Sequence, residues 1–298
     1  MTSPIQSVEQ PEPPLPPAQT LPTMYDLPSD NPWEPGLPDE YHDLQPQLLT
    51  RTFHSDHYPP EQIFTGSDLN LYYDVHNSSW YKRPDWFLVL GVPRLYNEVD
   101  MRSSYVVWQE GVNPFVVVEL LSPGTENEDL GESGQLASNS EEKLSNGHTD
   151  SNTPPRKWDV YEQRLRVPYY LVFSRYTDEL HCFKLVGGVY QLQPLESENT
   201  RIWMPELNLG LGLWQGEFEG IARRWLRWYD AMGNWVLTDT EYERQRAEYE
   251  RQRAQKAEAQ LQQVVLNLLA QGMSVEQVAS LTGLSTLQVQ KIAPQQNN

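Results

Sequence analysis

The chain has 298 residues, 38% of them hydrophobic, and a formal net charge of −19 at pH 7. That length holds one domain of ordinary size with tails, or two small ones, and the low apolar share leaves part of the chain outside any core. One cysteine, Cys182, excludes an intramolecular disulfide framework and a cysteine-rich metal site, and no apolar run approaches the roughly 20 residues that span a bilayer.

The N-terminus carries no basic segment followed by an apolar stretch, so no secretory signal is read there. The expectation is a cytoplasmic protein with no membrane partner. The negative charge as a whole is unsuited to nucleic acid, but it is unevenly spread. Residues 1–50 hold eight acidic side chains and no Lys or Arg, and residues 124–153 hold seven acidic and one basic. The rest of the chain is close to neutral, which leaves room for a local basic groove.

Residues 1–40 are Pro-rich and acidic (PEPPLPP, then LPSDNPWEPGLPDE) and are expected to be disordered, because proline removes backbone donors and fixes φ. One domain of ordinary size is expected over 41–235, opening with a short helix. LYYDV, DWFLVLGV (85–92), SYVVWQ (104–109) and PFVVVELL (114–121) read as strands: short β-branched and aromatic runs bounded by Gly, Pro and Asn. Residues 124–153 are so rich in Ser, Asn, Gly and Glu that they read as a disordered insertion. In RKWDVYEQRLR (156–166), Trp158, Tyr161 and Leu165 recur at spacings of three and four, which predicts an amphipathic helix.

VPYYLVFSR, ELHCFKLV and VYQLQPL then read as strands, with Gly187-Gly188 as a hairpin turn. Residues 214–235 read as partly helical; Arg223, Arg224 and Arg227 interleaved with Trp225 and Trp228 suit phosphate contact and base stacking, but the favoured reading packs the tryptophans on a sheet and leaves the arginines solvated. A charged helix is expected over 241–270, where EYERQRA occurs twice in succession. The repeat suggests a coiled coil, although Tyr242 and Tyr249 make a poor seam. Residues 271–298 read as two short helices joined by a tight turn, with Ser274/Gln277 and Ser285/Gln288 spaced as capping boxes.

Two carboxylates stand out. Asp85 opens one apolar strand, directly after Pro84, and Glu119 sits inside another, between Val118 and Leu120. Burying an unpaired carboxylate is costly, and a cation bridging two converging carboxylates offsets that cost; hard oxygen ligands suit Mg²⁺ or Mn²⁺. Lys157, at the start of the expected helix, has the chemistry to orient a water or stabilise a phosphate. The same residues also admit a plain reading, in which Asp85 caps a turn, Glu119 pairs with an arginine and Lys157 is solvated.

The runs KRPDWFLVLGV, NPFVVVELLSPGTENEDL and KWDVYEQRLRVPYYLVF resemble the Uma-type family of restriction-endonuclease-like proteins, a branch of the PD-(D/E)XK nuclease superfamily. The resemblance covers roughly residues 70–195 and is most specific at Val118-Glu119-Leu120-Leu121-Ser122-Pro123. It implies an α/β (α+β) fold, with a restriction-endonuclease-like mixed sheet flanked by helices, followed here by the charged helix and a helix-turn-helix-like tail. It also implies that Asp85 and Glu119 are metal ligands for Mg²⁺ or Mn²⁺ and that Lys157 is the catalytic lysine. The substrate implied is DNA, cleaved by phosphodiester hydrolysis.

Two departures from the superfamily pattern stand in the sequence. Leu121 occupies the orthodox lysine position, two residues after Glu119, so the lysine must come from the helix. A further acidic residue has no clear place, with Asp74 and Glu61 as candidates. His54 and His57 read as surface residues. The alternatives to a nuclease are a catalytically inactive interaction protein on the same fold, or a DNA-binding regulator working through the tail. The tail offers Gln288, Gln290 and Lys291 to a base edge but no arginine. The C-terminal helices are also a candidate surface for homo-oligomerisation.

Overall fold

The computed structural model describes residues 39–122, 124–131, 153–195 and 200–293. The expected Pro-rich tail, up to residue 38, and residues 132–152 of the expected insertion lie outside them. The chain divides after Val236 into two compact units.

In the first unit, helix α1 (Glu40–Thr52) leads into β1 (Ile63–Gly66), β2 (Leu71–Tyr72), β3 (Tyr81–Lys82), β4 (Trp86–Leu90) and β5 (Tyr105–Val106). A one-turn helix α2 (Val107–Glu110), β6 (Val116–Leu120) and another short turn α3 (Glu126–Asp129) follow. Next come α4 (Lys157–Asp159), which continues as a π-helical turn (Val160–Arg164), and the strands β7 (Tyr169–Ser174), β8 (Glu179–Val186) and β9 (Val189–Leu192). The unit closes with β10 (Arg201–Met204), β11 (Leu209–Phe218) and β12 (Ile221–Tyr229).

The central sheet has six strands in the order β1-β4-β6-β7-β8-β9. Only β6 and β7 run parallel; every other pair in it is antiparallel. β4, β6 and β7 are buried on both faces, which is why each reads as an unbroken apolar run rather than an alternating one. Trp86, Leu88, Val116, Val118, Leu171 and Phe173 pack on one side, with α1 and the β11–β12 hairpin. Phe87, Val89, Val117, Tyr170 and Val172 pack on the other, with Leu71, Tyr105, Val160 and Tyr161. Smaller sheets, β3-β2-β5 and β10-β11-β12, complete the unit.

Four expectations need correction. Residues 214–235 are not helical: β11 and β12 form a long hairpin. Its turn is Glu219-Gly220, with φ of 49° and 80°. Two positive φ values in succession fit the tight turn of a two-residue hairpin, but glutamate is an unusual first residue there, so the signal is faint. Trp225 and Trp228 are both buried because the strand is covered on both faces, and their spacing of three mimics a helix. Arg227 is not solvated; it is 1% exposed, with its guanidinium 4.1 Å from the centre of the Trp214 ring. The strand expected over 104–109 stops at Val106 and turns helical. The start of the acidic segment is also folded: α3 buries Asp129 and is followed by buried Leu130.

The second unit holds α5 (Asp239–Ala270), a single helix of 32 residues, then α6 (Val275–Thr282) and α7 (Thr286–Ile292). Capping boxes start all three helices, at Thr238/Glu241, Ser274/Gln277 and Ser285/Gln288. Gly283, at φ 72°, ends α6 in the left-handed conformation that favours glycine. Val265, Val278, Ala279 and Val289 form a small core of their own.

One polar side chain docks α1 on the hairpin. Gln45 is fully buried; its Nε2 donates to the Leu226 carbonyl at 2.9 Å and its Oε1 accepts from Leu226 N at 2.8 Å. The amide thus completes the backbone pairing of β12 as a neighbouring strand would. Gln45→Leu fills the space but strands both Leu226 groups. The expected loss of stability is about 2–4 kcal/mol in urea denaturation, and a loss below about 1 kcal/mol contradicts this role.

Candidate active site

The site grows from the register of β4 on β6. Trp86 pairs with Val118, so one further step sets Asp85 opposite Glu119 on the same face of the sheet. Backbone and side chain lock the two together: Asp85 N lies 3.4 Å from Glu119 Oε2, and Leu120 N donates to Asp85 Oδ2 at 2.6 Å. Pro84 precedes Asp85 and fixes the entry of the strand.

Glu119 is fully buried. Both of its oxygens are met by one helix. Lys157 Nζ donates to Oε2 at 2.9 Å and Tyr161 OH donates to Oε1 at 2.7 Å. Lys157 and Tyr161 are four residues apart, so they share the face of α4 and the π turn that looks onto β6. The lysine absent from position 121 is thus supplied from the helix, and Leu121 packs instead against the apolar cluster on that face of the sheet.

Asp129 joins this group from α3. Its Oδ1 lies 3.2 Å from Lys157 Nζ, within ion-pair reach but without hydrogen-bond alignment, so that buried oxygen has no hydrogen-bond partner among the described residues. Glu128 holds α3 in place by accepting from Lys82 Nζ at 2.6 Å and from Lys157 N at 3.0 Å. Tyr170 OH adds a bond to the Asp129 carbonyl at 2.8 Å. Asp129 was hidden in sequence inside an acidic stretch that reads as unburiable; the lone Leu130 behind it was the one sign of a buried turn. The two other candidates for this acid lie elsewhere. Asp74 closes a turn by accepting from His76 N and Asn77 Nδ2, and Glu61 is exposed.

The electrostatics follow from burial. Desolvation pushes the Glu119 carboxyl well above its ordinary range, Lys157 pulls it back, and Asp85 and Asp129 push it up again. Asp129 is raised for the same first reason. Burial alone would lower the Lys157 ammonium, but Glu119, Asp129 and Asp85 outweigh it and hold its pKa well above the usual lysine value. One ammonium faces three carboxyl groups, so the cluster keeps a deficit of positive charge.

At the end of β6 stands His42, also unrecognised in sequence. Its Nδ1 lies 2.8 Å from Asp39 Oδ1, and its Nε2 lies 3.2 Å from the Leu120 carbonyl and 3.4 Å from Ser122 Oγ. Burial opposes the imidazolium, yet the Asp39 bond and the charges of Asp85 and Asp39 raise its pKa above the ordinary histidine value. Burial likewise raises Asp39, but the bonds to His42 bring its pKa down to about 2. His54 and His57 are exposed, as expected.

Among the described residues, no group of three or more His, Cys, Asp or Glu is already arranged as a metal cage. The donor chemistry nevertheless fits a hard divalent cation: carboxylate oxygens only, an excess of negative charge, and an Asp129 oxygen with no hydrogen bond. Asp85, Glu119 and Asp129 are the residues that would hold it.

Lys157→Met tests the electrostatic account. With the ammonium gone, the Glu119 and Asp129 carboxyls bind protons in the folded state that the unfolded chain releases above about pH 4.5. Stability of the variant therefore falls as pH rises from that value. Against wild type, the expected deficit is about 3–5 kcal/mol at about pH 7, shrinking toward about pH 5. Equal deficits in urea denaturation at the two pH values would contradict it.

No curated protein matches the chain. A family model described as "Putative restriction endonuclease", that of the Uma2 family, matches residues 15–218, which take in every strand of the central sheet and every residue of the site. The matched segment is more than half of the chain, and the chain belongs to the Uma2 family of restriction-endonuclease-like proteins.

Proposed function

We propose that this protein is a metal-dependent endonuclease that hydrolyses phosphodiester bonds of DNA. Membership in a family of nuclease type supports the class of activity. The single observation that carries the chemistry is the reach of Lys157 Nζ to Glu119 Oε2, 2.9 Å away, in a pocket it shares with Asp85 and Asp129. A lysine from an unorthodox place in the sequence has met the buried glutamate where the family chemistry needs one.

Asp85, Glu119 and Asp129 would hold the cation, Mg²⁺ or Mn²⁺. When bound, that ion supplies neutralising charge at the scissile phosphate and lowers the pKa of an attacking water. Lys157 is the one cationic group in the cluster and keeps about a fifth of its side chain exposed, so it can turn from Glu119 toward the water or the phosphate. Tyr161 keeps Glu119 Oε1 fixed while Lys157 moves. Water adds to phosphorus, a phosphorus–oxygen ester bond breaks, and a proton passes to the leaving oxygen.

A second reading has one observation in its favour. Both Glu119 oxygens already have protein donors, as in an inactive nuclease fold used for protein contacts. Cleavage of supercoiled plasmid separates the two. Wild type with Mg²⁺ or Mn²⁺ is expected to nick it, and Asp85→Asn, Glu119→Gln, Asp129→Asn and Lys157→Ala each to slow nicking by about 10²-fold or more. An inert wild type on varied DNA favours the second reading, and cleavage that survives all four substitutions rejects the site.

A further inference from the structure

At the same end of the sheet as His42, but outside the carboxylate cluster, three cationic side chains gather at the start of α1. Asp39 accepts from His42 through Oδ1 and from Arg175 through Oδ2. Arg223 Nη2 donates to the Arg175 carbonyl at 2.9 Å. Its guanidinium lies 4.3 Å from the centre of the Tyr41 ring, which in turn stacks on Trp225 at 5.2 Å. The Arg175 guanidinium lies 4.5 Å from the Tyr176 ring. Both arginine forks are therefore fixed against aromatic faces.

Neither fork is satisfied. The Nε atoms of Arg175 and Arg223 are buried and have no hydrogen-bond partner among the described residues. A buried donor left without an acceptor is unfavourable and calls for a cause. The neighbouring charges do not supply one. Asp39 is the one carboxylate bonded within the group, and it serves His42 and Arg175 together. Asp178 sits 4.0 Å from Arg224. His42 has an acceptor facing each ring nitrogen, which suits the doubly protonated form. Arg175, Arg223 and His42 thus gather around Asp39, with Asp178 near Tyr41 and Asp85 near His42, in a chain whose net charge is −19.

The place matters as much as the charge. Phe173 pairs with Leu120 across the parallel strands, and Arg175 follows Phe173 by two residues. The backbone of Arg175 thus lies roughly 10 Å from that of Glu119 at the same end of the sheet, Arg175 on the face covered by α1 and Glu119 on the face of Tyr161.

We propose that Arg175 and Arg223 bind a backbone phosphate of the DNA substrate near the scissile one, with the outer guanidinium N–H groups as donors. An arginine fork suits phosphate oxygens better than a lysine does, because its donors are planar and pre-set. His42 and Asp39 orient Arg175 and link this lip to Leu120 and Asp85. The proposal rests on the nuclease reading above.

The test is binding of the full chain to a fluorescent DNA duplex of about 20 base pairs in EDTA, by anisotropy over a series of KCl concentrations. Binding is expected to weaken with salt, with a slope set by the number of phosphates contacted. Arg175→Gln and Arg223→Gln, checked for wild-type melting, should each weaken binding about tenfold near 0.1 M salt and reduce the slope by about 0.9. Arg51→Gln, at the far end of α1, should change neither.

Folded glutamine variants with wild-type affinity and slope overturn this site and leave the nuclease reading intact. Should the glutamine variants not fold, Arg223→Lys keeps the charge and loses the fork: a several-fold loss of affinity supports the site, and unchanged affinity overturns it. A wild type that neither binds nor cuts DNA overturns the nuclease reading and this proposal with it.

Discussion

The first unit is organised around a carboxylate inside its central sheet. Glu119 sits in a strand buried on both faces, where an unpaired charge is not tolerated. Its donors come from elements remote in sequence. Asp85 N belongs to the start of β4, and Lys157 and Tyr161 belong to one face of α4 and its π turn. The π turn begins at Val160, between the two donors, and this wider turn lies where the helix faces the acid. Irregular helix of this kind is often found at functional sites.

The surrounding layers fix that arrangement. On one side, α1 rides on the β11–β12 hairpin through Gln45, which pairs with Leu226, and through Leu49, whose carbonyl accepts from Trp228 Nε1. Because α1 is held this way, its N-terminus lies against the end of β6 and His42 reaches the Leu120 carbonyl. The Leu120 peptide is then fixed from both sides, since its N–H donates to Asp85. A helix with no part in the carboxylate cluster thereby constrains the peptide that orients it. A histidine whose pKa is raised in the first turn runs against the helix dipole when charged; the Asp39 carboxylate, which also caps the helix by accepting from His42 N, offsets that.

How much of this was legible depended on where each residue's information lay. β4, β6 and β7 announce themselves because a short unbroken apolar run, closed off by Gly, Pro or Asn, must be covered on both faces, and Asp85 and Glu119 stand out against them. Lys157 was legible through family likeness, not through spacing. Asp129 was not, because its burial depends on Glu128, Lys82 and Tyr170, contacts that no local pattern encodes. The hairpin at 209–229 was misread for a different reason. Trp225 and Trp228 are three apart and both buried, and a strand covered on both faces loses the alternation that separates period 2 from period 3.6. His42 and Arg175 acquire meaning only from tertiary contacts with Asp39, Leu120 and Tyr176.

The charge of the chain runs contrary to a DNA partner until it is resolved by location. Much of the negative excess falls in residues 1–50 and 124–153, and within the described fold the carboxyl groups that matter are buried. Such groups act over a short range and face one lysine. Arg175, beside the start of α1, is partly exposed and pairs with Asp39. On the proposed nuclease reading, the carboxylate pocket would attract a cation while the arginines near the start of α1 would attract the substrate, so the two charge signs serve different partners.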